Sequence, residues 1–149
     1  IYGVTGGVAE AVVRYCVPDK SKNALRSVRV TDLRGDGAIR EVHLTIEGQE
    51  LHIAIVNGLI HAKELIADIE AGKRFYHLVE VMTCQGGCVG GAGQPYGLSD
   101  VKQKRKQGLY DTDASALFKR AEKNPIVTSL LEKYGEEKCH ELLHVHYGE

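Results

Sequence analysis

The stretch REVHLTIEGQELHIAIV, residues 40–56, carries the fold. Val42, Leu44 and Ile46 alternate with Glu41, His43 and Thr45. After a short EGQ break, Leu51, Ile53 and Ile55 take up the same two-residue period. Successive side chains on a strand point to opposite faces, so the pattern predicts an antiparallel hairpin at about 39–56 with one buried face. Working outward, FYHLVEVM (residues 75–82) reads as a further strand, expected at the centre of the sheet, and RSVRVTDL (residues 26–33) as a short one ahead of a turn at RGDG. GVTGGVAEAVVRYC places Val8, Val12, Tyr15 and Cys16 at helical spacing, which predicts a helix from about Thr5 to Cys16, stopped by Pro18. HAKELIADIEAG predicts another, with Leu65, Ile66 and Ile69 on one side and Gly72 as its end. Beyond Gly97 the pattern is helical throughout: a basic segment, DASALFKRAEK, NPIVTSLLEKYG with Pro125 in its first turn, and EKCHELLHVHY. Strands interleaved with helices in this order define an α/β chain: a mixed sheet flanked by helices, with a helical C-terminal third.

Composition bounds the function. A chain of 149 residues with 43% hydrophobic content can bury one proper core, so residues 1–149 are expected to form a single domain. A net charge of −1 gives no pull toward nucleic acid or an anionic membrane. No apolar run approaches the roughly 20 residues that span a bilayer, and the N-terminus lacks the pattern of a signal peptide. The sequence opens at Ile1 and its only methionine is Met82, so a processed product or a fragment is expected. Cys16, Cys84, Cys88 and Cys139 are too few for a disulfide scaffold. Two of them lie four apart among glycines, which suits reduced, ligating thiols and a cytoplasmic location. Cys16 and Cys139 have no such surround and read as buried structural thiols.

The chemistry-bearing stretch is TCQGGCVGGAGQP, residues 83–95, straight after the strand at 75–82. Thiolates hold iron–sulfur clusters or zinc, and either site ordinarily takes four ligands. Residues without Cβ let a chain close around a bulky inorganic group and aim backbone N–H groups at its sulfurs. From spacing alone two readings stand, half of a cluster site and a glycine turn with two incidental thiols. His140-Glu141-Leu142-Leu143-His144 matches the H-E-x-x-H pattern of zinc peptidases, but no third ligand can follow a helix further on. GVTGGV does not fit the dinucleotide fingerprint, and its glycines read as packing residues at a helix start. Lys102, Lys104, Arg105 and Lys106 read as a solvated helix face, or as a docking patch for an acidic electron-transfer partner. His43, His52, His61 and His77 stand singly and read as structural.

These pieces together resemble the iron-only (FeFe) hydrogenases. EVMTCQGGCVGGAGQP is similar to that family's E-V-M-A-C-P-G-G-C loop with its glycine run and Q-P. IYGVTGGVAEA is similar to F-G-V-T-G-G-V-M-E-A, and NPIVTSLLEKYG and HELLHVHY resemble the N-P-x-x-x-x-L-Y segment and the A-H-x-L-L-H-T-H-Y ending. The four blocks run in family order along essentially the whole chain, and they make the zinc-peptidase motif an ordinary part of that ending. The resemblance implies the C-terminal lobe of a catalytic subunit that reversibly reduces protons to hydrogen at an H-cluster, a 4Fe–4S cubane joined to a di-iron subcluster. It implies Cys84 as a terminal ligand of the cubane and Cys88 as the thiolate shared with the di-iron unit. Met82 would lie beside that unit and Tyr2, where the family has phenylalanine, near its distal end. Ferredoxin or another one-electron carrier is the implied partner, along with the upstream lobe of the same subunit. Gln85 stands in place of the family's proline, Thr83 of its alanine and Ala9 of its methionine. The family's two other cysteine motifs, T-S-C-C-P and M-P-C-x-x-K-x-x-E, are not in these residues. The isolated chain is therefore expected to be inactive, to lack the cluster, and to self-associate through apolar surface. The alternative is a hydrogenase-like protein of iron–sulfur assembly or redox sensing.

Overall fold

The computed structural model describes residues 1–17, 30–97 and 99–145. Pro18, residues 26–29 of the expected first strand, and His146 lie outside them. The described remainder of that strand, Val30–Leu33, forms a 3-10 turn instead. The chain divides into two compact units, Ile1–Ser115 and Ala116–Glu149.

The hairpin in the first unit is as the alternation predicts. Strand β1 (Ile39–Ile46) pairs antiparallel with β2 (Gln49–Asn57), Ile46 opposite Gln49. The two-residue turn between them holds Glu47 and Gly48 at φ 50° and 80°. Positive φ at both positions matches the twist of the strands it joins. Helix α1 (Gly7–Cys16) lies on one face of the sheet, where Ala9, Val13 and Val17 meet Val42, Leu44, Ile53 and Ile55, with Leu33 closing the cluster. Helix α2 (Leu59–Glu70) covers the other face, where Ala62 and Leu65 meet Ala54 and Val56. Each fully buried aliphatic side chain contributes about 1.5–3 kcal/mol.

Strand β3 (Leu78–Met82) follows α2 and pairs parallel with β2, from Ile53 opposite Leu78 to Asn57 opposite Met82. The order β1-β2-β3 makes β2 central and β3 an edge among the described residues, against the expected central place for residues 75–82. The difference lies in the other phase of each strand. In β2 the run IAIV is buried on both faces, whereas Val79 and Val81 of β3 remain 37% and 43% exposed.

Three helical expectations change. Helix α1 turns Val8, Val12, Tyr15 and Cys16 outward and buries Gly7, Ala9, Glu10, Val13 and Arg14. Charge goes inside because it closes a network. Glu10 bonds Arg14 and Arg34, and both arginines reach Asp113, at 2.7 and 3.1 Å. On α2, Ala62 and Leu65 are the buried pair, and Ile66 faces solvent. Gly72, with φ 68°, ends that segment as expected. Helix α3 (Ser99–Ser115) takes in residues 113–115, and helix does not continue through 116–120, so the helix expected over DASALFKRAEK is broken.

In the second unit, Asn124 caps helix α4 (Pro125–Tyr134) by accepting the Ile126 N–H at 3.0 Å, with Pro125 at the first position. Gly135, at φ 78°, ends α4 and begins α5 (Glu136–Leu143). Cys139 of α5 is buried and its thiol points to the Leu130 carbonyl at 3.7 Å, the structural role expected of it. Cys16, expected to be buried likewise, is exposed near the end of α1.

Candidate metal centre

The site grows from the end of β3. Met82 is half-buried and its carbonyl accepts the Gly58 N–H at 2.6 Å, which fixes where the strand stops. The chain then turns on itself: the Gly87 N–H donates to Cys84 O at 2.9 Å, and a 3-10 turn runs from Cys88 to Gly90. Cys84 and Cys88 thus stand on one turn, both exposed and both free thiols.

Three groups clamp that turn to the rest of the unit. Asn57, the last residue of β2, is buried. Its carboxamide oxygen accepts from the Gly86 N–H at 3.0 Å and the Thr5 hydroxyl at 2.7 Å, and its Nδ2 donates to Gly37 O at 2.5 Å. The N-terminal segment lies along the turn like a short extra strand. The Thr5 N–H donates to Gly86 O at 3.1 Å, and the Val89 N–H to Gly3 O at 3.1 Å. Gly87 sits at φ 89°, and a Cβ there would meet Gly3 O at 2.7 Å, so this close approach requires glycine. Glu80 of β3, buried, accepts the Gly6 and Ala9 N–H groups at 2.6 and 2.7 Å. A carboxylate at those free N–H groups satisfies the start of α1 and pins the GVTGG segment where the cysteine turn needs it.

Helix α3 closes the site from the other side, and here the expected solvated basic face is largely turned inward. Arg105 donates to the carbonyls of Pro95 at 2.5 Å and Val89 at 3.4 Å. Lys106 is buried and bonds Asp36 at 2.5 Å, and that ammonium holds the Asp36 carboxyl below its ordinary value of 3.8. Lys104 alone of the four fits the expectation, exposed and paired with Asp100 at 2.7 Å. An open cleft of about 270 Å³ lies behind the turn, lined by Asp36, Asn57, Gln85, Gly86, Lys102 and Gln103.

The donor set can be tested against an iron–sulfur group. Two sulfur donors share one turn, and a Cβ at Gly91 would stand 3.6 Å from the Cys84 sulfur and 3.2 Å from Cys88 O. The first is an ordinary contact and the second a tight one, so Gly91 packs directly against both cysteines of the turn. The residues fit as two ligands of such a group. Among the described residues no cluster of three or more His, Cys, Asp or Glu gathers to hold a metal alone. Tyr2, 56% exposed, precedes the Gly3 that bonds the turn. His140 and His144 lie in the second unit with rings stacked 4.1 Å apart, and His144 is already past the end of α5.

Sequence reading missed Asn57, Thr5 and Glu80, and took Lys102 only as part of a basic helix face. Asn57 and Glu80 carried a signal that apolar alternation alone does not weigh. Both are polar residues in the inward phase of strands, in step with Ile53 and Ile55 and with Leu78. A polar group at such a position needs internal partners.

The α/β unit thus presents two free thiols on one clamped glycine turn. Comparison with known proteins supplies the class. Residues 1–92 match the family described as iron only hydrogenase large subunit, C-terminal domain, and residues 99–149 match the iron hydrogenase small subunit. The chain belongs to the iron-only hydrogenase family. It is 40% identical over 153 residues to the NADP-reducing hydrogenase subunit HndD of Solidesulfovibrio fructosivorans, covering 99% of this chain and 26% of that one. It is 32% identical over 156 residues to cytosolic iron-sulfur assembly component 3 of Bos taurus, covering 97% and 31%. The [FeFe]-hydrogenase HydA1 of Chlamydomonas reinhardtii superposes with a TM-score of 0.69 at 31% identity, covering 99% of this chain and 45% of that structure. The chain therefore spans about a quarter to a third of the length of these two curated relatives. No described helix is long and apolar enough to cross a membrane.

Proposed function

We propose that this chain is the part of an iron-only hydrogenase that supplies Cys84 and Cys88 to its H-cluster, in a cytoplasmic subunit that reversibly reduces protons to hydrogen. The observation that carries the reading is the clamped turn. Two exposed thiols are held on one short loop by Asn57, Thr5 and Gly3, with Gly91 packed beside the Cys84 sulfur. The bound cluster supplies the redox chemistry. The protein fixes the thiolates, and Cys84 would serve the cubane alone while Cys88 bridges to the di-iron unit. Met82 and Tyr2 would border the di-iron side. The other ligands would come from the upstream lobe of the same subunit, and electrons from ferredoxin or a similar one-electron carrier. By itself the chain holds two ligands of the set and is expected to evolve no hydrogen.

The test compares the isolated chain and the full-length parent anaerobically, with the 4Fe–4S part rebuilt from iron and sulfide and the di-iron unit supplied preassembled. The parent should hold iron and evolve hydrogen, and Cys84→Ser and Cys88→Ser should each lower its iron content. Cys16→Ser and Cys139→Ser should leave it unchanged. Hydrogen evolution by the isolated chain, or full iron in both Cys84→Ser and Cys88→Ser, would overturn the reading. Similarity to the bovine assembly component supports a second reading, a cluster-bearing assembly protein without hydrogen chemistry. A parent that binds iron but turns over no hydrogen would favour it.

A further inference from the structure

Lys102 occupies a place that neither its sequence context nor the proposed ligand set explains. Its side chain lies in the slots left open at Gly86 and Gly90. A Cβ on Gly86 would meet Lys102 Cε at 2.4 Å and Nζ at 2.8 Å, and one on Gly90 would meet Cε at 3.1 Å. The two glycines flank Cys88 by two residues on either side, and Gly86 lies midway between the two cysteines in sequence. The ammonium is therefore seated on the turn that joins the two thiols. Around it, Asp36 is already bonded to Lys106 and Gln103, Arg105 spends its donors on backbone carbonyls, and Lys104 pairs with Asp100. Among the described residues Lys102 has no ion-pair partner within 4 Å, although it is half-buried.

The electrostatic neighbour of Lys102 is Asp36, which lines the same cleft and is already bonded to Lys106. The ammonium on the ligand turn therefore has charge left for a further anion. Each thiolate that ligates iron carries negative charge, and each electron the cluster accepts adds more. A fixed positive charge favours the more negative, reduced state, and it does so strongly where the surroundings are partly desolvated.

We propose that Lys102 is a positioning residue for the cluster, whose ammonium, seated on the Gly86–Gly90 turn, compensates the charge of the Cys84 and Cys88 thiolates and raises the cluster's reduction potential. The inference rests on the cluster-ligation reading above. It assigns Lys102 no contact with the reacting atoms.

The experiment is a redox titration with dithionite of the full-length parent, followed by electron paramagnetic resonance, on the unaltered protein and on Lys102→Met, Lys102→Arg and Lys104→Met. Lys102→Met keeps the length of the stem and removes the charge, so the midpoint potential should move to more negative values. Lys102→Arg should restore it toward the starting value. Lys104→Met, a change on the exposed side of the same helix, should leave it in place. A Lys102→Met protein that loads iron normally and titrates at the original potential would overturn the proposal while leaving the ligation reading intact. So would equal shifts from Lys102→Met and Lys104→Met. If the unaltered parent holds no iron–sulfur signal at all, ligation itself fails and the proposal falls with it. Should Lys102→Met fail to fold, Lys102→Gln read against Lys102→Arg makes the same comparison, and equal potentials in those two would sink the idea.

Discussion

At the scale of single residues the site depends less on its cysteines than on what holds them. Asn57 satisfies three polar groups at once, two of them donors on separate segments. Asn57→Ala would leave the Gly86 N–H, the Thr5 hydroxyl and the Gly37 carbonyl without that partner. Unsatisfied buried groups cost about 1–3 kcal/mol each, so the variant should lose at least about 2 kcal/mol of stability in urea unfolding. Thr5→Val removes one of the three and should lose less. A loss below about 0.5 kcal/mol in Asn57→Ala would mean that water replaces the clamp and that the turn is not anchored there.

The same residue shows what was legible beforehand. The cysteines, the glycine run and the four family blocks stand in the sequence in plain order, and chemistry that needs sulfur can only come from them. The clamp was concealed because Asn57 follows Ile53 and Ile55 in phase, where alternation predicts an apolar side chain. Lys102 and Arg105 were concealed for the opposite reason. A cluster of basic residues on a helix reads as solvated unless the carbonyls and open glycine slots that receive it are known, and those lie in the remote residues 86–95.

Among the elements, the hairpin was fully legible, since a period of two with one apolar phase excludes odd slips and the short turn at Glu47 and Gly48 sets the register. Helix α1 was found but faced the wrong way. Spacing located an apolar stripe, while the tertiary network around Glu10 set which side went in. Glu10 and Arg14 are four apart, a helical ion pair by spacing, yet nothing local reveals that Arg34 and Asp113 complete it from further along the chain. The hairpin turn offers a test at this scale. Glu47 holds φ 50° at an exposed position, a conformation that asparagine adopts with less strain. Glu47→Asn should raise stability by about 0.5–1 kcal/mol, read from the denaturant midpoint at unchanged slope. A lower midpoint would show that the Glu47 side chain has a stabilising partner that outweighs the strain.

For the whole molecule, the two units suggest where the chain is most easily cut. Leu117 is 93% exposed in the segment after α3, and Tyr96 is 98% exposed in the loop after the cysteine turn. Both lie outside helix and strand, where proteases find extended backbone. Brief chymotrypsin treatment should cut first after Tyr96 and at Leu117 or Phe118, with fragments identified by mass. The sheet residues 39–57 should survive longest. Early cleavage at Leu44 or Leu51 would mean that the hairpin opens as readily as the loops. A cut after Tyr96 would break only the covalent link between the cysteine turn and α3, leaving the Asn57 clamp and the Lys106–Asp36 pair in place.

The Glu80 carboxylate has a consequence in time. It joins residues 74 and 71 positions apart, and Asn57 joins Thr5 to its own strand across 52. Contacts of such separation form slowly, since each closes a long stretch of chain. During synthesis the GVTGG segment must therefore wait, unpaired, until β3 and the turn after it have left the ribosome. Only then can the Thr5 and Gly3 contacts close on the turn, so the two thiols are fixed in place late in the emergence of this part of the chain.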